Sequence, residues 1–235
     1  MSEVSPTRVL RRTLEEALDT DVASTVLFEA LGESATGVPR TRDEVLFVVQ
    51  GPLREVLTRR LDAVQAERLV HRVEHQLSPA EPVTLEMPLE DLASEGRRED
   101  ATATVPTSAA VPVLVVASGP AFAVKLELAL GERRVSPRTA SDPASLEDAL
   151  GDATPALMIV DATSPPTLSD TIVIRAGHTL PTTTACVLFG VELPYGRRLL
   201  KSIDAQDRPW VTLERREGVA PLFDLVRSRR RSPVT

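Results

Sequence analysis

In the second half of the chain, short apolar runs alternate with segments whose apolar residues recur at helical spacing. The runs at 113–117 and 156–160 are uninterrupted and too short for helices, so they predict strands that are buried on both faces of a sheet. Strands that alternate with helices predict an α/β fold with a five-stranded, doubly wound parallel sheet. The predicted strands are 113–117, 134–139, 156–161, 184–189 and 209–213, and the predicted helices are 122–130, 145–150, 169–176, 195–203 and 219–229.

The first 78 residues are dominated by apolar positions at helical spacing. Thr41 and Glu44 form a capping-box pattern at the start of one helix, and Asp62 is a candidate N-cap of another. Gly51 and Pro52 lie between the starts of these two helices and predict a break in the helical path. We expect a small all-α domain with four or five helices, which is enough for a bundle or for half of a dimer interface.

Residues 79–111 differ from both of these regions. They are rich in Pro, Ala, Ser and Thr, and between 81 and 111 seven acidic residues against two arginines give a net charge of −5. A segment of this composition cannot bury enough apolar surface to fold by itself. We therefore expect a disordered linker at 79–111, which separates a helical domain at 1–78 from an α/β domain at 112–228, and a basic tail at 229–235.

Composition and charge narrow the class of protein. Hydrophobic residues make up 42% of the chain and aromatic residues only 3%, which indicates a packed core that is mainly aliphatic. The net charge of −7 argues against a general nucleic-acid-binding surface. The one cysteine, Cys186, has no internal disulfide partner, and no signal peptide or membrane span is evident. We expect a cytoplasmic protein, and the preference for arginine over lysine is typical of a GC-rich bacterial genome.

Asp161 is the strongest candidate for a functional residue. It ends the central predicted strand, so it should lie at the carboxyl edge of the sheet, where open α/β sheets place ligands and chemistry. Pro165 follows four residues later. Five βα units with this Asp and Pro resemble the receiver domain of response regulators, which has a flavodoxin-like fold. The resemblance covers 112–228 and implies that Asp161 holds the phospho-acceptor position. It also implies that Trp210 holds the place of an aromatic residue that can rotate when the domain switches.

The remaining positions of the receiver pattern carry residues of a different chemistry. The family has two acidic residues after strand 1 that hold Mg²⁺, whereas this chain has Ala117 and Ser118. Gly190 replaces the Ser or Thr that ends strand 4, and Glu214, followed by Arg215, replaces the lysine after strand 5. Phosphoryl transfer to a carboxylate needs a divalent cation and a fixed positive charge to offset the repulsion between two anions. The comparison therefore implies a degenerate pocket: a pseudo-receiver without catalytic activity and without a cofactor.

These observations predict a non-catalytic signalling or regulatory protein that acts through protein contacts. The helices of 1–78 would form a homo-oligomer or bind a second partner, and the pseudo-receiver would dock a protein partner. In the receiver family, helix 4, strand 5 and helix 5 form a face that commonly makes such contacts. Carried onto this chain, the predicted partner face comprises Tyr195, Arg197, Arg198, Lys201, Trp210, Leu222 and Leu225.

Two other functions are alternatives. One is a working response regulator of a two-component phosphorelay, with Asp161 phosphorylated and Mg²⁺ as its cofactor. The other is a transcriptional regulator whose N-terminal helices read DNA, although residues 1–80 hold 10 arginines against 13 acidic residues and lack the expected basic excess. His71 and His75 have the i, i+4 spacing of two metal ligands, but no third ligand can be named, so we expect a solvated helix face.

Overall fold

The structure is a computed structural model that describes residues 5–34, 38–78, 109–203 and 208–231, with side chains up to residue 229. Most of the predicted linker, 79–108, lies outside the described residues, as does most of the predicted basic tail, so both remain predictions. The N-terminal part forms α1 (Pro6–Ala17), α2 (Thr20–Glu33), α3 (Arg42–Val48), α4 (Arg54–Arg60) and α5 (Ala63–Leu77).

Side-chain caps start two of these helices, as the sequence predicts. Thr41 accepts a hydrogen bond from the Glu44 N–H at 3.3 Å, and the Glu44 carboxylate accepts one from the Thr41 N–H at 3.1 Å. This reciprocal pair satisfies two donors that the first turn of α3 leaves unpaired. At the start of α5, Asp62 accepts from the Gln65 N–H at 2.9 Å.

The predicted break at Gly51 and Pro52 is wrong. The chain remains helical between α3 and α4 through a π-helical segment, Val49–Leu53. A proline has no N–H to donate and crowds the preceding turn of an ordinary α-helix. The wider π turn accommodates Pro52 without ending the helical path.

The C-terminal part is a five-stranded parallel sheet with helices on both faces, as predicted, and its arrangement is flavodoxin-like. All residues of the third strand are buried, which explains its uninterrupted apolar sequence. The strands are β1 (Val111–Val116), β2 (Val135–Ala140), β3 (Leu157–Asp161), β4 (Ala185–Phe189) and β5 (Trp210–Leu213), in the order β2-β1-β3-β4-β5. The helices are α6 (Ala121–Leu130), α7 (Pro143–Asp152), α8 (Asp170–Thr179), α9 (Pro194–Ile203) and α10 (Ala220–Arg231).

Two separate apolar clusters lie on the two faces of the sheet. Side chains of α6 and α10 pack on one face, and side chains of α7, α8 and α9 pack on the other. A third cluster is formed almost entirely by α1 to α5. Of the helices in the described parts of the chain, none has both the length and the apolar character to cross a bilayer.

The N-terminal helices pack directly onto the sheet part through α2. Phe28 of α2 places its ring centroid 5.4 Å from that of Phe122 in α6 and 6.1 Å from that of Phe223 in α10, with both pairs edge-on. Phe28 belongs to the apolar cluster of the sheet, although it comes from the helical part. The inward face of α2 is therefore occupied, and only the remaining surfaces of 5–78 are open to another molecule.

Ion pairs also connect the N-terminal helices to the sheet part. Arg8 bonds Glu132 at 2.7 Å, and Arg227 bonds Asp21 at 2.7 Å. These pairs are exposed, so each adds at most about 1 kcal/mol. The apolar contact of Phe28 is the stronger link between the two parts, because its side chain is only 7% exposed.

We expect Phe28→Ala to lower the free energy of unfolding by about 3 kcal/mol or more, since it removes a buried aromatic ring and leaves a cavity between α2, α6 and α10. The matched control is Phe47→Ala, because the Phe47 side chain is 56% exposed and should contribute less than about 0.5 kcal/mol. Urea unfolding followed by circular dichroism measures both. Equal midpoints for the two variants would show that the aromatic contact does not hold the parts together.

Candidate functional site

Asp161 lies at the carboxyl end of β3, as predicted, but it is committed to the loop that follows. Its side chain is buried, with only 2% of the residue exposed. Oδ1 accepts hydrogen bonds from the Thr163 N–H at 2.9 Å and from the Thr163 hydroxyl at 2.6 Å. A carboxylate that bonds the backbone two residues ahead orders a turn. Asp161 therefore shapes the β3–α8 loop with at least one of its oxygens.

The position that would carry the metal-binding acids is also used structurally. Ala117 is fully buried at the end of β1. The Ser118 N–H donates to the Ser164 carbonyl at 2.8 Å, and the two serine hydroxyl oxygens lie 2.5 Å apart. These bonds tie the β1–α6 loop to the β3–α8 loop beside Asp161. Pro165 follows this contact and is exposed.

Gly190 and Glu214 are the other two residues of the predicted degenerate pocket. Gly190 acts through its backbone, and Glu214 pairs with a neighbouring side chain. Gly190 has a φ of +79°, a conformation that favours glycine, and its N–H donates to the Leu213 carbonyl at 2.8 Å. Glu214 forms an ion pair with Arg216 and does not line the cavity next to Asp161. Arg215, and not Glu214, therefore faces the cavity next to Asp161.

Lys125 is a candidate site residue that the comparison with the receiver family did not identify. It lies on α6, half-buried, on the same cavity as Asp161. Burial lowers the pKa of Lys125, and the charge of Asp161 opposes this effect. Burial raises the pKa of Asp161, while the hydrogen bonds from Thr163 and the charge of Lys125 act in the opposite direction. The available signal was composition, because only two of the 27 basic residues are lysines, at 125 and 201.

A cavity of about 430 Å³ joins these groups at the carboxyl edge of the sheet. Its walls come from both parts of the chain. One side is α2, and the rest is α6, the end of β3 with the β3–α8 loop, the end of β4 and the β5–α10 connection. A volume in this range is typical of sites for small organic ligands. The lining residues are Phe28, Glu29, Gly32, Glu33, Ala121, Phe122, Lys125, Asp161, Thr163, Ser164, Phe189, Arg215, Gly218 and Val219.

The predicted partner face is only partly a surface. Leu222 is fully buried in the core and Tyr195 is largely buried, so the expectation that these side chains face a partner is wrong. Both point inward because their helices use these positions to cover the sheet. Leu225 is partly buried against one face of the sheet, and Trp210 against the other.

The charged members of that face fall into two kinds. Arg198 donates to the Asp170 carboxylate at 2.8 and 3.1 Å and lies 5.1 Å from the Tyr195 ring centroid. Burial, together with the nearby charge of Asp170, raises the pKa of Tyr195 to about 12. Arg197 and Lys201 are exposed and form no ion pair within the described part of the chain. Arg197 and Lys201 are therefore the two cations of the predicted partner face that remain available to another molecule.

The histidine pair on α5 does not gather a metal site. His71 Nδ1 lies 3.3 Å from Glu74 Oε2, and Glu74 Oε1 accepts from Gln50. Among the residues that the structure describes, no three His, Cys, Asp or Glu side chains are grouped as a metal site would require.

Comparisons of the chain with protein-family models, with curated proteins and with solved structures give no match. The function must therefore be inferred from the geometry of the site itself.

We expect Asp161→Asn to stabilise the protein at about pH 7. The folded-state pKa of Asp161 is raised above its ordinary value of 3.8, so its contribution is fully present below that value and is lost as the pH rises through the raised pKa. Asparagine keeps an oxygen for the Thr163 bonds but does not ionise. The gain over wild type should therefore shrink towards about pH 3, where both side chains are neutral. Urea unfolding across this pH range measures the difference.

Asp142→Asn is the control of opposite sign. The Ser145 N–H lowers the pKa of Asp142, the N-cap of α7, so this carboxylate stabilises the fold above its ordinary pKa and the effect is lost as the pH falls. This variant should be less stable than wild type at neutral pH, and the loss should disappear in acid. If Asp161→Asn behaves like Asp142→Asn, Asp161 is held as an anion and our interpretation is wrong.

Proposed function

We propose that this chain is a non-catalytic regulatory protein with a receiver-like α/β part that docks a protein partner through α9. The observation that carries the proposal is the state of Asp161, which is buried and hydrogen-bonded to Thr163. A phospho-acceptor must present an ionised oxygen to the phosphodonor. Burial favours the neutral carboxyl here, and the neighbouring Ser118 holds the loops together where the receiver family has metal-binding acids.

The surface of α9 supports docking to an acidic partner. Arg197 and Lys201 are one turn apart and project into solvent from the same side of the helix. Arg198 is neutralised by Asp170, so it fixes α9 against α8 rather than offering a free charge. Unpaired cations on one helix face give electrostatic complementarity to an acidic surface and raise the rate of encounter.

The helical part supports a second contact, either with another copy of the chain or with another partner. Phe47 on α3 and Val64 on α5 are 56% and 60% exposed. Four of the five phenylalanines are Phe28, Phe122, Phe189 and Phe223, which are buried, so Phe47 is the exception. Exposed apolar side chains of this size favour association when they gather on one surface.

We expect the double variant Arg197→Glu and Lys201→Glu to retain at most about a tenth of the wild-type partner capture, because reversed charges face the acidic surface of the partner. The matched control is Arg68→Glu with Arg72→Glu, an exposed i, i+4 pair on α5 that forms no ion pair among the described residues. Affinity capture from the native host with quantitative mass spectrometry measures the loss. Equal recovery of the same partner by wild type and the α9 variant would refute docking through this face.

The second candidate function, a phosphorylated response regulator, is favoured by one observation. Lys125 and Arg215 line the cavity next to Asp161 and place positive charge where a phosphoryl group would be attached. The comparison of the sequence with the receiver family identified no positive charge near Asp161 apart from Arg215. Lys125 therefore supplies one of the two requirements for phosphoryl transfer, while the metal-binding acids remain replaced by Ala117 and Ser118.

Acetyl phosphate separates the two functions. Incubation of the full chain with Mg²⁺ and acetyl phosphate, followed by intact-mass analysis, should leave the mass unchanged, because the Asp161 carboxyl is buried and bonded within its own loop. Asp161→Asn serves as the control for phosphorylation at other residues. A phosphoryl adduct on wild type that is absent from this variant would establish the second function instead.

A further inference from the structure

Two cations on the cavity between α2 and the sheet have no direct ion-pair partner. Lys125 and Arg215 both line the cavity. In the part of the chain that the structure describes, no carboxylate oxygen lies within 4 Å of the side-chain nitrogens of either residue. Asp161 interacts with Lys125 only through the longer-range attraction between their charges. The Lys125 side chain is half-buried and burial lowers its pKa, so an anionic ligand beside the ammonium would favour its charged form.

The acidic residues on the same walls are already compensated. Glu29 is paired with Arg60, and Glu33 is paired with Arg59, in both cases through arginines at the end of α4. Oδ1 of Asp161 is occupied by Thr163, and burial raises the pKa of this carboxyl. Lys125 and Arg215 carry two positive charges against at most one negative charge from Asp161, so the net charge left uncompensated at the cavity is positive, which favours an anion over an amine.

Three aromatic rings also line the cavity. Phe28, Phe122 and Phe189 all line the cavity, and the ring centroids of Phe122 and Phe189 are 5.3 Å apart. These three rings come from α2, α6 and β4, so they form a continuous apolar surface across the junction of the two parts. Phenylalanine rings at this spacing pack well against a flat apolar group.

We propose that this cavity binds a small organic anion, in which a carboxylate or phosphate is attached to a planar apolar group. The anionic group lies at Lys125 and Arg215, and the apolar group lies against the phenylalanine rings. The cavity volume of about 430 Å³ accommodates a molecule of this size. The proposal does not rest on partner docking, because α9 contributes no residue to the cavity.

Such a ligand would hold the two parts of the chain together. It would touch α2 on one side and α6 with the loops after β3 and β5 on the other. A ligand that binds the folded chain and not the unfolded chain raises the apparent stability with the logarithm of its concentration relative to Kd. Binding is therefore visible as a rise in Tm as well as in a direct titration.

The test uses three probes that share one planar group: 2-naphthoate, 2-naphthyl phosphate and the neutral 2-naphthamide. Isothermal titration calorimetry and thermal shift are measured on the full chain. At least one of the two anions should bind about tenfold or more tightly than the amide, because a charge-assisted hydrogen bond is worth about that factor in Kd. The tighter of the two anions identifies whether the site prefers carboxylate or phosphate.

Two variants, at Lys125 and Gly32, locate the binding, and a third, at Lys201, is the control. Lys125→Met should weaken the preferred anion about tenfold and leave the amide unchanged, while Lys201→Met, which removes the other lysine, should change neither. Lys125→Met removes a charge that burial disfavours, so folding should not suffer. Gly32→Leu should weaken all probes by filling the cavity, and it should fold because a Cβ at Gly32 meets nothing within 4 Å.

Three results would each overturn the proposal. The first is that neither anion binds more tightly than 2-naphthamide. The second is that Lys125→Met binds the preferred anion as Lys201→Met does. The third is that Gly32→Leu, with its fold verified by circular dichroism, binds all probes as wild type does. None of these results bears on capture of a protein partner by α9, so failure of the ligand site and failure of docking are distinguishable.

Discussion

The packing of Phe28 between Phe122 and Phe223 determines how the rest of the molecule is arranged. Because this ring from α2 enters the apolar cluster on one face of the sheet, the helical part is not an independent module beside the α/β part. The contact brings the end of α2 over the carboxyl edge of the sheet. That edge would otherwise open directly to solvent, and α2 turns it into a cavity with an aromatic wall.

The same contact changes the meaning of Asp161. At an open carboxyl edge, a carboxylate is accessible and ionised, which suits a reaction with a phosphodonor. In this chain Asp161 faces the same cavity as α2, is buried and has a raised pKa, and its hydrogen bonds serve the loop that carries Thr163. Asp161 thus has an architectural role, since a short polar side chain at the end of a buried strand orders the turn that must follow.

Much of the fold could be predicted from the sequence because it depends on local patterns. The uninterrupted run of β3 and the alternation of strands and helices predicted the sheet, and the Thr41–Glu44 pair predicted the start of α3. The cavity could not be predicted, because Phe28 and Lys125 are nearly a hundred positions apart in the chain and neither belongs to a motif. The buried position of Leu222 was also missed, because a family's contact face gives positions along a helix but not the side that covers the core.

The choice between lysine and arginine sharpens the interpretation of the cavity. Arg208, which is partly buried, shows how this chain uses arginine for a fixed internal contact: its guanidinium donates to four backbone carbonyls around the end of α8 and the start of β4. A guanidinium is planar, permanently charged and satisfied by several acceptors at fixed angles. Lys125 has a compact ammonium on a flexible stem, and its pKa responds to burial. The chain has 25 arginines and only two lysines. A fixed internal contact would favour a guanidinium, as at Arg208. The ammonium of Lys125 instead suits an acceptor that comes from a bound ligand.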